Sequence, residues 1–481
     1  MMINCIHNQR RTLAGLVVFI GLFCLPPSLK ADQWGDWTYS TDGSNVTITG
    51  YTGTNGDIMI PVTISDMSVI AIGDYAFTNR TSLTGINIPY SVSTIGKLAF
   101  YFCTSLAEIT LPTCVVSIGD SAFSSSGLTN IIIPNSVTSI GAHAFNNCFK
   151  LASITMSTNL TSIRNGLFSQ CTNLTSVTIP NSVTNIEDYA FNKCSLLTNI
   201  TIPNGVSSIR KYVFFNCNSL TSIIIPDSVI SIGDSAFGQC YSLANITIPN
   251  GVTNIGANAF KLCSDLPSVI IPNRVSNIGS NAFDYCTSLT NVTIGANITI
   301  IGTNAFQSCF ILTGVYFKGN VPAFGLNVFS NADSVLVYYY PWTLGWTNTF
   351  GERPTQVNPA YTQWLNNYGF TTSLTNDYDN DGMFNWQEFL AGTGPTNDAD
   401  RLAIASMGSG TNAQISWQAK SNVSYQVRKS LDLMGAWLDA PTGAGTTQRA
   451  FQTAPADGLM QYADPDYAGV TNGFYRVNVV P

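Results

Sequence analysis

The densest chemistry in this 481-residue chain lies between Asp377 and Glu388. Asp377, Asp379 and Asp381 stand at positions 1, 3 and 5 of a twelve-residue stretch, followed by Gly382 at 6, Met383 at 7, Asn385 at 9 and Glu388 at 12. A hard cation with many oxygen ligands needs this set: alternating carboxylates, a glycine for the sharp turn, one backbone carbonyl at Met383, and a final acid able to bind bidentately. The pattern is that of a calcium loop, and it stands out because only 10% of the residues are charged. The expected metal ligands are therefore Asp377, Asp379, Asp381, Met383, Asn385 and Glu388, with calcium as a structural cofactor. Nucleophilic chemistry has no comparable support. His7 and His143 are the two histidines, so no Ser/His/Asp or Cys/His set can be assembled, and no phosphate loop or dinucleotide fingerprint occurs. The chain is not expected to be an enzyme.

The loop must be held by its neighbours. Before it, Asn358-Pro359 to Gly369 reads as a helix: Asn as the cap, Pro at the first position, Trp364, Leu365 and Tyr368 on its face, Gly at the stop. Residues 370–376 separate that helix from the loop. Upstream lies a long array. Phenylalanines fall at 77, 100, 123, 145, 168, 191, 214, 237, 260, 283, 306 and 329, so every interval is 23 except one of 22. A fixed period of this length means a solenoid. One repeat runs Leu243, Ile246, Ile248, Pro249, Val252, Ile255, Gly256, Ala259, Phe260 and Cys263. Ile246 and Ile248 alternate with polar neighbours, as in a strand, and Pro249 closes it. Ile255, Ala259, Phe260 and Cys263, at i, i+4, i+5 and i+8, predict about two turns of helix. No repeat can bury enough surface to fold alone, so stacking is obligatory.

This Ile-Pro-x-x-Val-x-x-Ile-Gly-x-x-Ala-Phe-x-x-Cys pattern resembles the BspA-like class of bacterial leucine-rich repeats. The likeness covers about residues 46–357 and implies an exported array that works through its surface. Departures are local: Met156-Ser157 replaces Ile-Pro, and Ser124–Gly127 lacks one residue. The loop itself is EF-hand-like, and 388–400 resembles linkers of thrombospondin-type-3 or dockerin-like character; a single loop departs from the paired loops of a dockerin. Pieces such as Ile415-Ser416-Trp417 and Phe474-Tyr475-Arg476-Val477 resemble fibronectin-like tail domains. The expected fold is an α+β solenoid: a leucine-rich repeat array of about 12 repeats of 23 residues with β caps, a short helical calcium-binding segment and a small C-terminal β-sandwich. The expected divisions are a signal peptide (1–31), an N-terminal β cap (32–71), the repeats (72–329), a C-terminal cap (330–357), the helix with its calcium loop (358–400) and the β-sandwich tail (401–481).

Residues 1–31 carry Arg10-Arg11, an apolar core from Leu13 to Leu25, a Pro26-Pro27 break and Leu29-Lys30-Ala31, which reads as a cleaved secretory signal too short to span a bilayer. Phe23 before Cys24 argues against a lipobox. The formal charge of −7 becomes −10 without this segment, which holds three cations and no acid; nothing favours nucleic acid or anionic lipid as a partner. The expected location is secreted or cell surface, with no transmembrane helix in the mature chain.

Nine of the twelve cysteines share one repeat phase. Same-phase residues of neighbouring coils lie about 4.8 Å apart with parallel side chains, whereas a disulfide wants Cβ atoms near 3.8 Å and converging; a ladder of buried thiols is expected. The residues two and four places after each Leu point out of the sheet, from Gly85 and Asn87 to Gly314 and Tyr316. They make a nearly uncharged Ser/Asn and Thr/Ile face. Such residues stack well on any pleated surface, or they form a platform for an extracellular protein or glycan. Tyr316, Tyr338, Tyr339, Tyr340, Trp342 and Trp346 crowd the array's end, as a sugar-stacking patch or as the seal of the last coil. The leading expectation is a binding or adhesion protein. The alternatives are a structural surface or matrix component and a non-catalytic carbohydrate-binding partner of polysaccharide-degrading enzymes.

Overall fold

The computed structural model describes residues 32–370, Tyr378, 384–391, 394–396 and the backbone of seven strands between 404 and 480. The expected signal segment, Asp377, Asp379, Asp381 and Met383 lie outside the described residues. The array is a solenoid of about 13 coils, one more than the phenylalanine spacing suggests. The extra coil precedes Phe77, where Asp57–Met59 already pairs in parallel with Gly85–Asn87 and Asn45–Tyr51 pairs with Met67–Ile72.

Most coils contribute two short strands, such as Asn245–Thr247 and Asn254–Ile255. Their neighbours sit one repeat away in register, Ser222 opposite Asn245 and Ser231 opposite Asn254. The inward residue of each strand is apolar because the coil has a single interior, and the outward ones, mostly Ser, Asn and Thr with Ile at 132, 224 and 270, meet water. Inside, the Ala-Phe phenylalanines form one unbroken pile from Phe77 to Phe329, with ring centroids 5.1–5.9 Å apart and planes within 20°. The spacing follows from the coil rise, which brings identical rings to stacking distance.

The expected helix is replaced by turns, and the array is a β-solenoid, not an α+β one. Two residues per coil, two places before and two after the phenylalanine, take left-handed backbone: Asn258 and Leu262 in one coil, Asn281 and Tyr285 in the next. A helix cannot contain them. Their N–H groups bond across to the following coil instead of four residues back. In the first such coil Tyr75, Phe77 and Asn79 donate to the carbonyls of Lys97, Ala99 and Tyr101 at 2.9, 2.7 and 2.8 Å. His143, expected on a helix surface, is exposed at one of these left-handed positions. Asp74, Asp120, Asp188 and Asp234 therefore face no helix dipole. Asp74, Asp120 and Asp234 each accept a backbone N–H of the next coil, from Lys97, Ala142 and Ala257.

Both ends are closed. At the start, Trp37–Thr41 pairs antiparallel with Asn45–Tyr51, and Trp37 meets Phe77 edge-on at 6.3 Å. At the other end Arg353–Val357 pairs with Leu336–Tyr339, and buried Phe350 covers Phe317, Phe324 and Phe329. Helix α1 (Pro359–Asn367) follows, its first turn capped by the Asn358 side chain accepting from Ala360 N at 3.0 Å. Helix α2 (Asn385–Ala391) comes next. In the tail, Ile404–Gly408, Gln414–Ala419 and Gly458–Ala463 form one antiparallel sheet. Ser424–Ser430 pairs with Leu438–Asp439, Phe451–Thr453 and Phe474–Val480 in another.

Candidate functional site: the array surface and the segment at its end

The outward strand column is exposed as expected. Its apolar members are well exposed, Ile132 at 68%, Ile224 at 79% and Ile270 at 67%. Where the column reaches the end of the array its character changes to aromatic. Tyr316 and Tyr338 pair in register and stack at 4.8 Å. Burial pushes the Tyr316 phenol above its ordinary value, with Tyr338 adding to the effect. The other end aromatics split between two tasks. Trp346 lies on Phe317, Tyr339 and Phe350 and seals the last coil. Tyr340 and Trp342 turn towards the helices.

Of the expected metal ligands, the structure describes Asn385 and Glu388, the ninth and twelfth loop positions. Both are completely buried. They sit on α2, one turn apart, so their side chains share a face. The aromatic residues between and after them, Trp386 and Phe389, anchor α2. Trp386 stacks on Trp342 at 5.4 Å, and Phe389 packs against Tyr361 and Trp364 of α1 at 5.3 and 5.6 Å. The last two ligand positions are thereby tied to the end of the solenoid. The Asn385 amide, with no hydrogen-bond partner among the described residues, is a buried polar group of the kind an ion satisfies. The Tyr361 phenol is pushed up to about 12, first by burial and then by the negative charge of Glu388.

All nine ladder cysteines are buried free thiols. Each Sγ donates to a phenylalanine carbonyl of the preceding coil at 3.0–3.2 Å. The same carbonyl accepts the N–H that closes its own turn, as at Phe77, Phe123 and Phe145. The shortened repeat has Ser126 at the ladder position, three residues after Phe123, and its hydroxyl lies 3.4 Å from Cys148 Sγ.

One departure is not obvious from the motif. Nine coils carry glycine after the second strand, while Arg164, Glu187 and Arg210 replace it in three successive coils. At Gly96, Gly119, Gly141, Gly256, Gly279, Gly302 and Gly325 a Cβ would sit 2.4–2.6 Å from the previous coil. The three exceptions coincide with breaks in the second-strand ladder. Ser162–Ile163 and Asn185–Ile186 pair only with each other, apart from the runs before and after. The signal in the sequence was a gap in a glycine column, readable only against the coil geometry.

No helix among the described residues is long and apolar enough to cross a membrane. A family model, the BspA type leucine rich repeat region in 6 copies, matches residues 58–165, 116–228 and 207–336, more than half of the chain. No curated protein matches it. Among solved structures, a leucine-rich repeat protein from Bacteroides ovatus is 28% identical, with a TM-score of 0.52 over 64% of this chain and 94% of its own. A leucine rich cell surface protein from Faecalibacterium prausnitzii is 30% identical, with a TM-score of 0.41 over 60% and 95%. With the coil geometry and the matched span in agreement, the chain belongs to the BspA-type leucine-rich repeat family.

Proposed function

We propose that the protein is an exported, surface-located recognition protein, and that the uncharged strand face of the array is its platform for an extracellular protein or glycan. The observation that carries this is the regular, nearly uncharged Ser/Asn/Thr sheet face, on which Ile132, Ile224 and Ile270 stand 67–79% exposed: an even neutral surface suits recognition by hydrogen bonds and apolar contact and not by charge. The name of the Faecalibacterium protein supports the surface location. The variant Ile132→Glu/Ile224→Glu/Ile270→Glu should fold, since all three side chains are outside the core, and should lose capture of protein from the producer's surface extract. A parallel glycan array separates protein from sugar. Silence of the unaltered protein in both favours the structural surface component and overturns the recognition reading.

Asp377, Asp379 and Asp381, the Met383 carbonyl, Asn385 and Glu388 would hold one calcium ion. The buried Asn385 amide and Glu388 carboxylate fit such a group, and calcium would supply only charge and rigidity. The segment then acts as a stiff joint between the array and a fibronectin-like β-sandwich tail. Calorimetry should show a single site of about 10⁻⁴–10⁻³ M, the range of extracellular modules. Binding by Asp377→Ala equal to that of the unaltered chain would remove this site.

A further inference from the structure

We propose that the array carries two built-in hinges, at the junctions from Ile140 to Ile163 and from Ile186 to Ile209, where successive coils are joined along their first strands and their turns and part along the edge that carries their second strands. The proposal concerns the shape of the array and stands whether or not the strand face is a recognition surface.

At every other junction from Ile72 to Phe324 the second strands pair in parallel with those of the coil before. Two backbone bonds flank each pair. The residue ahead of the strand donates to its counterpart one coil back, as Thr138 N does to Val116 O and Thr253 N to Ile230 O, both at 2.9 Å. The residue after the strand donates to the previous isoleucine carbonyl, as Gly141 N does to Ile118 O and Gly256 N to Ile232 O, both at 2.8 Å. At the two named junctions the whole set is missing. Ser162–Ile163 does not pair with Ser139–Ile140, nor Ser208–Ile209 with Asn185–Ile186. Among the described residues, the N–H groups of Thr161, Arg164, Ser207 and Arg210 make no backbone bond to the coil before.

The cause is a side chain on a glycine position. At Gly141 a Cβ would lie 2.4 Å from Asp120 N, so the Cβ of Arg164 or Arg210 in the same place forces that edge of its coil off the one before. Glu187 has a different outcome: its N still donates to Ile163 O at 2.8 Å, and its carboxylate accepts from Asn165 N at 2.9 Å. There the crowded contact becomes a bond, and the second strands of those two coils stay paired.

The remaining sides of each hinge hold. Across the first, Asn130–Ile132 pairs with Ser153–Thr155, and across the second, Ser176–Thr178 pairs with Asn199–Thr201. In the turns the N–H groups of His143, Phe145 and Asn147 donate to Asn165, Leu167 and Ser169, and those of Tyr189, Phe191 and Lys193 to Lys211, Val213 and Phe215. The pile is drawn out at the first hinge but unbroken. Phe145 and Phe168 stand 5.9 Å apart, and Phe145 N to Leu167 O is 3.1 Å against 2.7–2.9 Å for the other phenylalanines from Phe77 to Phe306. The open edge of the second hinge is crossed by the ion pair of Arg210 and Asp188 at 3.6 Å, a partly exposed contact that holds weakly. Opening breaks no second-strand bond, makes that edge convex, and belongs to the low end of local opening free energies.

Two measurements on the full chain test this. Residue-resolved hydrogen–deuterium exchange, corrected for intrinsic rates, should show Thr161, Arg164, Ser207 and Arg210 exchanging at least about tenfold faster than Thr138, Gly141, Thr253 and Gly256. Spin labels report the motion itself. In a Cys114→Ser background, Thr138→Cys/Ile230→Cys spans both hinges, and Ser207→Cys/Thr299→Cys spans neither; all four sites are exposed, and each pair is 92 residues apart. The first distance distribution should be at least about 1.5 times as broad as the second. Arg164→Gly/Arg210→Gly, which returns the residue of the other coils, should narrow it and slow exchange at the four amides. Equal exchange rates, equal widths, or a width unchanged in the glycine variant would each overturn the proposal. If that variant fails to fold by circular dichroism, the two comparisons in the arginine-bearing chain still decide.

Discussion

At the scale of single residues, the repeat assigns each position a task that can be tested singly. Gly279 lies where a Cβ would be 2.5 Å from Ala257 N. Gly279→Ala should cost about 1–3 kcal/mol, as overpacking does, measured as a lower urea midpoint. Glu187→Gly at the equivalent position removes the carboxylate that accepts Asn165 N at 2.9 Å and should lower the midpoint, by about 1–3 kcal/mol. The thiols give a pH dependence. Burial pushes Cys103, Cys240 and Cys309 up to about 12 from an ordinary 9.0. The folded state thus holds these protons after the unfolded chain has released them. Their contribution is whole below about pH 9 and declines as pH rises from there towards about 12. The urea midpoint should fall between pH 8 and pH 10.5, and fall less in Cys217→Ala/Cys240→Ala/Cys263→Ala. A midpoint that does not move would remove the thiols from the account.

At the scale of elements, the coil is held by two ladders of different kind: short strands in parallel register and a pile of phenyl rings. Phe214 lies in the middle of the pile, 5.6 Å from Phe191 and 5.5 Å from Phe237. Phe214→Ala should destabilise by about 3–5 kcal/mol. Because coils contact only their neighbours, the defect should split unfolding into two steps by fluorescence and circular dichroism. A single cooperative transition would show coupling beyond adjacent coils. The strands were legible in the residues, from Ile246 and Ile248 to the stop at Pro249. The turns were not. Spacing of i, i+4 and i+8 suits a helix and a succession of turns equally, and what separates them is whether N–H groups bond four residues back or one coil ahead.

At the scale of the whole molecule, the array and the calcium segment join through Trp342, which touches Trp386 of α2 and Tyr361 of α1. If the ion organises Asn385 and Glu388, it also orients the helix that rests on the last coil. Calcium addition should change tryptophan emission in the unaltered chain. Trp342→Ala should weaken calcium binding by about tenfold, the scale of supporting-residue effects. Calcium affinity unchanged in Trp342→Ala would mean that the joint and the site are independent.

The residues alone determined the period, the inward and outward faces and the family, because those follow from side-chain polarity repeated at fixed spacing. They also marked the proposed calcium loop, whose expected ligands are close in sequence. Tertiary structure decided what depends on one coil lying on another. It set the left-handed turns in place of helices, the aspartates capping the following coil, and the thiols bonded to the phenylalanine carbonyls. It also showed that glycine is required by the backbone beneath it, which is why Arg164, Glu187 and Arg210 stand out only once the coils are stacked.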